Sequence, residues 1–487
     1  MKVTFLIPPP LDKKKVPERV FGCSYGLYPI PNIFILTFAS ILRKDGNEVS
    51  VLDAPIMKMK KQDFFKFLLS DKSDCYIFYS VNLSLDLDIY YAQKIRELKK
   101  DCSIIFCGPA PTITPESFLF DTNSYVVRGE PDYTLSELVN CLKQSKSQVA
   151  FGGTSLEIRG LTFLSAGEII NTPPRDLIEN LDELPFPARD LINRNLYYNP
   201  KLNARPFTAV MTARGCPYRC SFCVPSSLTF ARKLEYQKTV GIQKIPRVSF
   251  RSAQNVIAEF KLLKEQGYKA VSIIDDEFVL KKERVIQICE GIKDFKIQWG
   301  CLARADQLLD EELVKMMSLA GCQYIDIGIE SFEQRILDDL HKDIRVECFA
   351  QAFGNLKKYN IEPKLNILVA ASPLETKATL KKTIQKAIQS KPGVIMFNIA
   401  NPFPGTEFYL RAKEQGWLVF GDYRPVDVQK ESIIQYPHLS KSTIEHLVRF
   451  ANFKFYFGPN FILKNLKKLL SPKDFIDALK SLFKKLF

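Results

Sequence analysis

Arg214-Gly215-Cys216-Pro217-Tyr218-Arg219-Cys220-Ser221-Phe222-Cys223 places three cysteines at steps of four and three, with a glycine ahead of them and an aromatic residue among them. Thiolates are soft ligands that suit zinc and iron–sulfur centres, either as four ligands closing a site or as fewer leaving a metal position open. Ordinary buried cysteine is the competing reading. It suits the scattered Cys23, Cys75, Cys102, Cys107, Cys141, Cys289, Cys301, Cys322 and Cys348, whereas Gly215, Pro217, Tyr218 and two arginines describe a loop rather than a core strand. The chain's three histidines, His341, His438 and His446, are remote from the triplet, and the next cysteine is Cys289. A closed zinc site needs such a distant ligand. A [4Fe–4S] cluster held by three thiolates needs none and leaves one iron open to a small chelating ligand.

Working outward, Ala209–Thr212 reads as a strand feeding directly into this loop. Beyond it, helices are expected at Ser252–Gln266, Lys282–Ile292, Glu311–Ala320, Phe349–Tyr359 and Thr376–Ser390. Strands are expected at Ala270–Ile274, Ile297–Leu302, Tyr324–Ile329, Leu365–Ala370 and Val394–Ile399. Six β/α units fit a partial (β/α)6 barrel of TIM type, whose site lies at the carboxyl ends of its strands. Those ends carry Asp275-Asp276-Glu277, then Arg304 and Asp306, then Glu330 and Ser331. A charge after a strand is often a helix cap, but its recurrence around one rim points to a site.

Residues 1–145 alternate β-rich runs at Val3–Ile7, Val49–Leu52, Cys75–Ser80, Ser103–Cys107 and Ser124–Val127 with helical segments. The fold class is α/β, with this part a doubly wound, flavodoxin-like (Rossmann-type) parallel sheet that binds ligands beyond its carboxyl strand ends. The loops there are Ile7-Pro8-Pro9-Pro10, Ser80-Val81-Asn82-Leu83-Ser84, Cys107-Gly108-Pro109-Ala110-Pro111-Thr112 and Arg128-Gly129-Glu130-Pro131. None matches the dinucleotide or phosphate-loop fingerprints, which argues against NAD and ATP. Residues 146–205 lose the alternation and gain Thr172-Pro173-Pro174-Arg175 and Leu184-Pro185-Phe186-Pro187, a stiff proline-rich connector. The remaining boundaries fall at 206–415 for the barrel and 416–487 for a helical, basic C-terminal region.

The Cys-x3-Cys-x-aromatic-Cys pattern resembles the signature of the radical S-adenosylmethionine (SAM) superfamily. The resemblance implies that Cys216, Cys220 and Cys223 each bind one iron, that the open iron chelates the amino and carboxylate groups of SAM, and that Phe222 sits near the adenine. Gly328-Ile329-Glu330-Ser331-Phe332 resembles a stretch that contributes to SAM binding, so Glu330 and Ser331 are expected contacts, with Arg304 and Asp276 as further candidates. The N-terminal loops and Leu177–Pro187 resemble the cobalamin (B12)-binding domain and linker of one large branch, which includes radical C-methyltransferases and the anaerobic magnesium-protoporphyrin monomethyl ester cyclase. That likeness implies cobalamin contacts from Pro9, Ser80, Asn82, Gly108, Pro109, Thr112, Gly129 and Glu130. One departure has chemical content: this region has no histidine to place under cobalt, which argues against histidine ligation of the lower face.

The family implies an oxygen-sensitive, anaerobically working enzyme in which the reduced cluster cleaves SAM to a 5′-deoxyadenosyl radical, with an electron donor such as flavodoxin or ferredoxin as partner. C-methylation of an unactivated carbon on a lipid or other secondary metabolite is the leading expectation. The rivals are an oxidative, ring-forming enzyme of the cyclase type and a non-catalytic cobalamin or Fe–S sensor.

Composition agrees with a soluble protein of two or three domains: 487 residues, 46% hydrophobic and 25% charged. Twelve cysteines without regular pairing fit a reducing cytoplasm, and Met1–Ile7 reads as a first strand rather than a leader. The net charge of +14 comes from lysine spread along the chain, which favours a solvated surface over a nucleic-acid partner. The tail is an exception. Ser471-Pro472-Lys473-Asp474 reads as a helix start, after which Phe475, Ile476, Leu479, Leu482, Phe483 and Leu486 share one face. Peripheral contact with an anionic membrane is one expectation for it, and packing on the barrel or a dimer interface is the other.

Overall fold

The computed structural model describes residues 1–11, 15–26, 28–145, 157–459 and 461–463. They fall into two compact units. The first comprises Met1–Pro217, Val224–Asp276 and Phe295–Gln298, and the second Tyr218–Cys223, Glu277–Asp294 and Trp299–Phe487.

In the first unit, β1 (Lys2–Ile7), β2 (Glu48–Asp53), β3 (Cys75–Tyr79), β4 (Ser103–Cys107) and β5 (Ser124–Val127) pair in parallel. An antiparallel edge of β6 (Leu161–Ser165) and β7 (Glu168–Asn171) completes the order β2-β1-β3-β4-β5-β6-β7. The five parallel strands have the flavodoxin-type order. The edge hairpin departs from the reading of residues 146–205 as a connector throughout. Its second strand is largely exposed and only four residues long, so it carries no hydrophobic alternation to read.

Side chains alternate between two buried faces. Val3, Phe5, Ile7, Cys75, Ile77, Tyr79, Ile105 and Cys107 enter one core, whereas Leu6, Tyr76, Phe78, Ile104 and Phe106 enter the other. Near-continuous apolar strands are what a parallel sheet covered on both sides requires. The helix Ile33–Lys44 serves the first core: Asn32 Oδ1 accepts from the N–H groups of Phe34 (3.1 Å) and Ile35 (3.2 Å), and Arg43 and Lys44 sit in its last turn.

The same unit contains β8 (Phe207–Val210), then β9 (Ala213–Arg214) paired antiparallel with β10 (Ser249–Phe250), and β11 (Ala270–Ile273) parallel to β8. The helix Ser227–Val240, which follows the cysteine loop, is absent from the sequence expectations. Its packed face includes Arg232, Glu235 and Gln237, all buried, so it reads as a polar surface.

The second unit carries β12 (Gln298–Ala303), β13 (Cys322–Glu330), β14 (Glu362–Val369) and β15 (Val394–Ile399), parallel and adjacent in chain order. Helices Lys282–Ile292, Glu311–Leu319, Cys348–Lys358 and Lys377–Gln389 connect or precede them as expected. Trp299 is wholly buried, donates from Nε1 to Ala320 O (2.8 Å) and meets the edge of Phe278. Helix Lys441–Tyr456 follows the strands, and among the described residues no helix is long and apolar enough to cross a membrane. The amphipathic helix expected from Ser471 lies outside the described residues.

Candidate active site

The entry leg of the cysteine loop, through Pro217, belongs to the first unit, and Tyr218–Cys223 belongs to the second. Arg214 fixes the entry leg. It chelates Asp132 (2.9 and 3.0 Å) and donates to Glu130 (3.0 Å), all three buried. Burial opposes its charge, but Asp132 and Glu130 hold its pKa above the ordinary value. Arg232 donates to the Arg214 carbonyl (2.9 Å) and to Ser249 Oγ (2.8 Å). Gly215 has φ +109°, and a Cβ there would stand 2.9 Å from Arg232 Nη1, so the turn into the loop requires glycine.

The remainder of the loop is held by the second unit's own backbone and rings. Ser221 N–H donates to Leu340 O (3.1 Å), and Ser221 O accepts from Phe408 N–H (3.0 Å). The Arg304 guanidinium lies 3.7 Å over the Tyr218 ring, and Gln307 Nε2 donates to Tyr218 OH (3.1 Å). Arg304 also chelates Asp306 (3.1 and 3.0 Å) and donates to the carbonyls of Lys342 (2.7 Å) and Asp343 (2.8 Å). The expectation of Arg304 as a SAM contact thus meets a side chain whose nitrogens all donate to Asp306 or to the carbonyls of Lys342 and Asp343.

Cys216, Cys220 and Cys223 are half-buried and form no disulfide, whereas Cys75, Cys102, Cys107, Cys289, Cys301 and Cys322 are buried. Among the described residues no three His, Cys, Asp or Glu side chains converge on a single ion, and a cubane does not ask for that, because each thiolate takes its own iron. Burial raises the Cys220 thiol, with Lys342 the strongest of the charges that oppose it. Partly open thiols on a braced loop, with a cation in electrostatic reach, fit a cluster-binding loop.

Glu330 ends β13 on an irregular backbone. The β13–β14 register runs Gly328 to Asn366 and then Glu330 to Ile367, so Ile329 is an extra residue, and Glu330 takes φ +58°. A bulge of this kind re-aims a side chain, and a left-handed non-glycine residue stores strain where function is concentrated. Glu330 Oε1 accepts from Lys342 Nζ (2.9 Å), and both side chains are 8% exposed. No other described residue hydrogen-bonds the Glu330 carboxylate, so Oε2 keeps its acceptor capacity. Burial opposes the Lys342 charge, and Glu330 and the Cys220 sulfur outweigh it. Gly328 makes room for the pair: a Cβ there would stand 2.6 Å from Glu330 Oε1 and 2.8 Å from Lys342 Nζ. Lys342 escaped the sequence reading because it lies twelve residues beyond Glu330 in a turn with no motif. Gly328 beside a strand-end glutamate is the signal that was available.

The other expected contacts are placed as follows. Phe222 is half-buried on the loop. Ser331 is buried, with its Oγ on Thr383 Oγ1 (3.2 Å) and accepting from Glu333 N–H (3.2 Å). Asp276 accepts from Ser226 N–H (2.5 Å), and burial raises its pKa. Asp275 is buried and accepts from the N–H groups of Thr212 (2.5 Å) and Ala213 (3.0 Å), a structural post after β8. Glu277 accepts from the N–H groups of Arg304 (2.7 Å) and Val279 (3.3 Å), and burial pushes its pKa up to about 8.

Pro9, Ser80, Asn82, Gly108, Pro109, Thr112, Gly129 and Glu130 all sit at the carboxyl edge of the first sheet, and all are buried. Ser80 Oγ donates to Asp88 (2.7 Å), Thr112 Oγ1 donates to Gly108 O (2.8 Å) and accepts from Gly129 N–H (3.1 Å), and Glu130 belongs to the Arg214 network. A Cβ on Gly108 (φ +105°) would stand 2.6 Å from Ser80 O. The polar side chains Ser80, Thr112 and Glu130 are therefore engaged within the fold. Asn32 differs: its Oδ1 caps helix Ile33–Lys44, which begins at this same edge, while its Nδ2 is buried without a partner among the described residues.

Residues 210–387 match the family model for the radical SAM superfamily. The chain is 30% identical over 472 residues to an uncharacterized methyltransferase of Pyrococcus horikoshii, covering 96% of this chain and 95% of that protein. The chain belongs to the radical SAM superfamily. It is a radical SAM enzyme. The anaerobic magnesium-protoporphyrin IX monomethyl ester cyclase of Cereibacter sphaeroides is 30% identical over 298 residues, 60% of this chain and 45% of that enzyme. The hopanoid C-3 methylase of Methylococcus capsulatus is 25% identical over 88% of this chain and 75% of its own length. In fold, the chain is similar to the radical SAM methyltransferase TsrM of Kitasatospora setae, solved with cobalamin and a [4Fe–4S] cluster: TM-score 0.65 at 17% identity, over 91% of this chain and 84% of that one.

Proposed function

We propose that this radical SAM enzyme is a cobalamin-dependent methyltransferase acting on an unactivated carbon of a lipid or another small secondary metabolite. The observation that carries it is the nearly end-to-end match to a methyltransferase, joined by a hopanoid methylase over most of both chains. Cys216, Cys220 and Cys223 would hold the cluster. When bound, the cluster and SAM supply a carbon-centred radical and the corrinoid supplies a methyl group. Glu330 Oε2 is presented as an acceptor for a cationic amino group, and the half-buried Phe222 offers a ring for the adenine. Asn32 Nδ2 is a donor that would suit a peripheral amide of a corrinoid, and residues 1–145 contain no histidine to ligate its metal. A flavodoxin or ferredoxin supplies the electron.

A lipid-like substrate also gives the C-terminal region a role. Phe450, Phe453 and Phe457 are exposed, and with Lys391 and Lys454 they line a cavity of about 590 Å³. Aromatic residues with lysines suit contact with an anionic lipid surface, the peripheral membrane contact expected of the tail.

Protein reconstituted anaerobically with iron, sulfide and hydroxocobalamin should retain corrinoid through gel filtration. With methyl-labelled SAM and a lipid extract it should move the label into the extract. Deoxyadenosine formation without label transfer would sink methyl transfer and favour an oxidative reaction of the kind named for the cyclase relative.

A further inference from the structure

The Glu330–Lys342 pair has features that neither SAM binding nor structure alone requires. Two opposite charges are buried at 2.9 Å, on a bulged strand end with a left-handed glutamate, beside a glycine at which a Cβ would meet both charged groups. The turn that carries the lysine also lies against the cysteine loop, where Leu340 O accepts from the N–H of Ser221 (3.1 Å), the residue after Cys220. A pair needed only to hold the strand end would have no reason to lie within reach of a cluster ligand. A pair needed only for SAM would have no reason to commit one glutamate oxygen to a buried ammonium.

We propose that Lys342 is a positioning residue with two linked tasks: it holds the Glu330 carboxylate aimed at SAM, and its ammonium offsets that carboxylate's charge at the Cys220 side of the cluster. A reduced cluster carries one more negative charge than an oxidised one, so a nearby cation favours reduction and a nearby anion disfavours it. Glu330 is needed as an anion for the ligand, yet alone it makes the cluster harder to reduce. Lys342 resolves the conflict, because the pair is electrically balanced toward the cluster while Oε2 still accepts. Arg304 donates to the Lys342 carbonyl and stacks on Tyr218 of the loop, which couples the position of the lysine to the loop backbone. The inference rests on the reading that a [4Fe–4S] cluster occupies this loop.

The test is a double-mutant cycle on the reconstituted full-length chain, reading the cluster's midpoint potential by spectroelectrochemical titration and SAM affinity by equilibrium dialysis. Lys342→Met should shift the potential to more negative values, and Glu330→Gln should shift it to more positive values. The double variant should return toward the wild-type potential. SAM binding should weaken in all three, by about tenfold to a hundredfold, the scale of one charge-assisted hydrogen bond. Opposite shifts in potential with parallel losses of affinity are a pattern that a merely structural pair cannot produce. Lys342→Arg keeps the charge and should restore most of both readouts. If Lys342→Met fails to take up iron, Glu330→Gln and Lys342→Arg still decide. An unchanged potential in Glu330→Gln, or a shift of the same sign in both single variants, overturns the proposal. A wild-type chain that takes up no cluster contradicts the enzyme reading beneath it, a result distinct from either.

Discussion

The two units differ in the buried ion pairs they carry. In the first, buried charges close on one another: Arg19 on Asp88, Arg128 on Glu235, Arg189 and Arg251 on Glu259, and Arg214 on Asp132 and Glu130, with no side chain in these pairs more than 9% exposed. Such closed sets fix geometry, since their desolvation is offset only while every partner is present. In the second unit, Glu330 gives one oxygen to Lys342 and keeps the other; burial raises the pKa of acids in both units, Asp53 and Asp276 in the first and Glu277 and Glu375, each pushed up to about 8, in the second.

That contrast breaks most severely at the loop itself. Replacing Cys216, Cys220 or Cys223 singly by alanine should abolish the visible absorbance of the cluster, while Cys75→Ala or Cys289→Ala should retain it. Iron retained in the triplet variants would refute the ligand assignment. Next in size is Arg214→Met, which strands Asp132 in the interior and leaves Glu130 only Arg232 and the Ile178 N–H, and should cost about 3–5 kcal/mol in denaturant unfolding. A loss within experimental error would show that the first unit's charges are not a closed set. Gly328→Ala drives a methyl group into the Glu330–Lys342 pair and should cost about 1–3 kcal/mol, together with a weaker hold on SAM. Normal SAM affinity in a folded variant would separate the glycine from the site.

The smallest effect is a slope with pH. An unfolded glutamate loses its proton near its ordinary value of 4.5, whereas folded Glu277 holds it to about 8 because burial disfavours the anion. Between those values the unfolded chain binds fewer protons, so this group makes stability fall as pH rises and adds no further loss above about 8. Thermal melts from pH 5 to 9 should show a shallower decline for Glu277→Gln than for the wild type. An identical slope would mean that Glu277 is ionised in the folded protein.

Much of this was legible in the sequence because the relevant signals are local. β4, β5 and β15 and the helix Lys282–Ile292 fall where periodicity puts them, since each buries an apolar run or face. Glycine and proline around Cys216 marked a loop for the same reason. What failed depended on partners distant in the chain. Helix Ser227–Val240 packs Arg232 and Glu235 inward against Glu130, Arg214 and Arg128, partners roughly a hundred residues away or hidden in a neighbouring turn, so nothing within its own sequence distinguishes its core face. Lys342 reads as one more surface lysine until the bulge at Ile329 and the space over Gly328 are seen. Arg304, conversely, stood at the expected rim, but its neighbours engage all of its nitrogens.

The most direct test is the release of 5′-deoxyadenosine from SAM by the anaerobically reconstituted chain under dithionite, compared with Cys220→Ala at equal protein concentration. The wild type should release it in proportion to its cluster content, and the variant should release none. A wild-type chain carrying a full complement of four irons that releases no deoxyadenosine contradicts the assignment of the Cys216–Cys223 loop as the seat of radical chemistry.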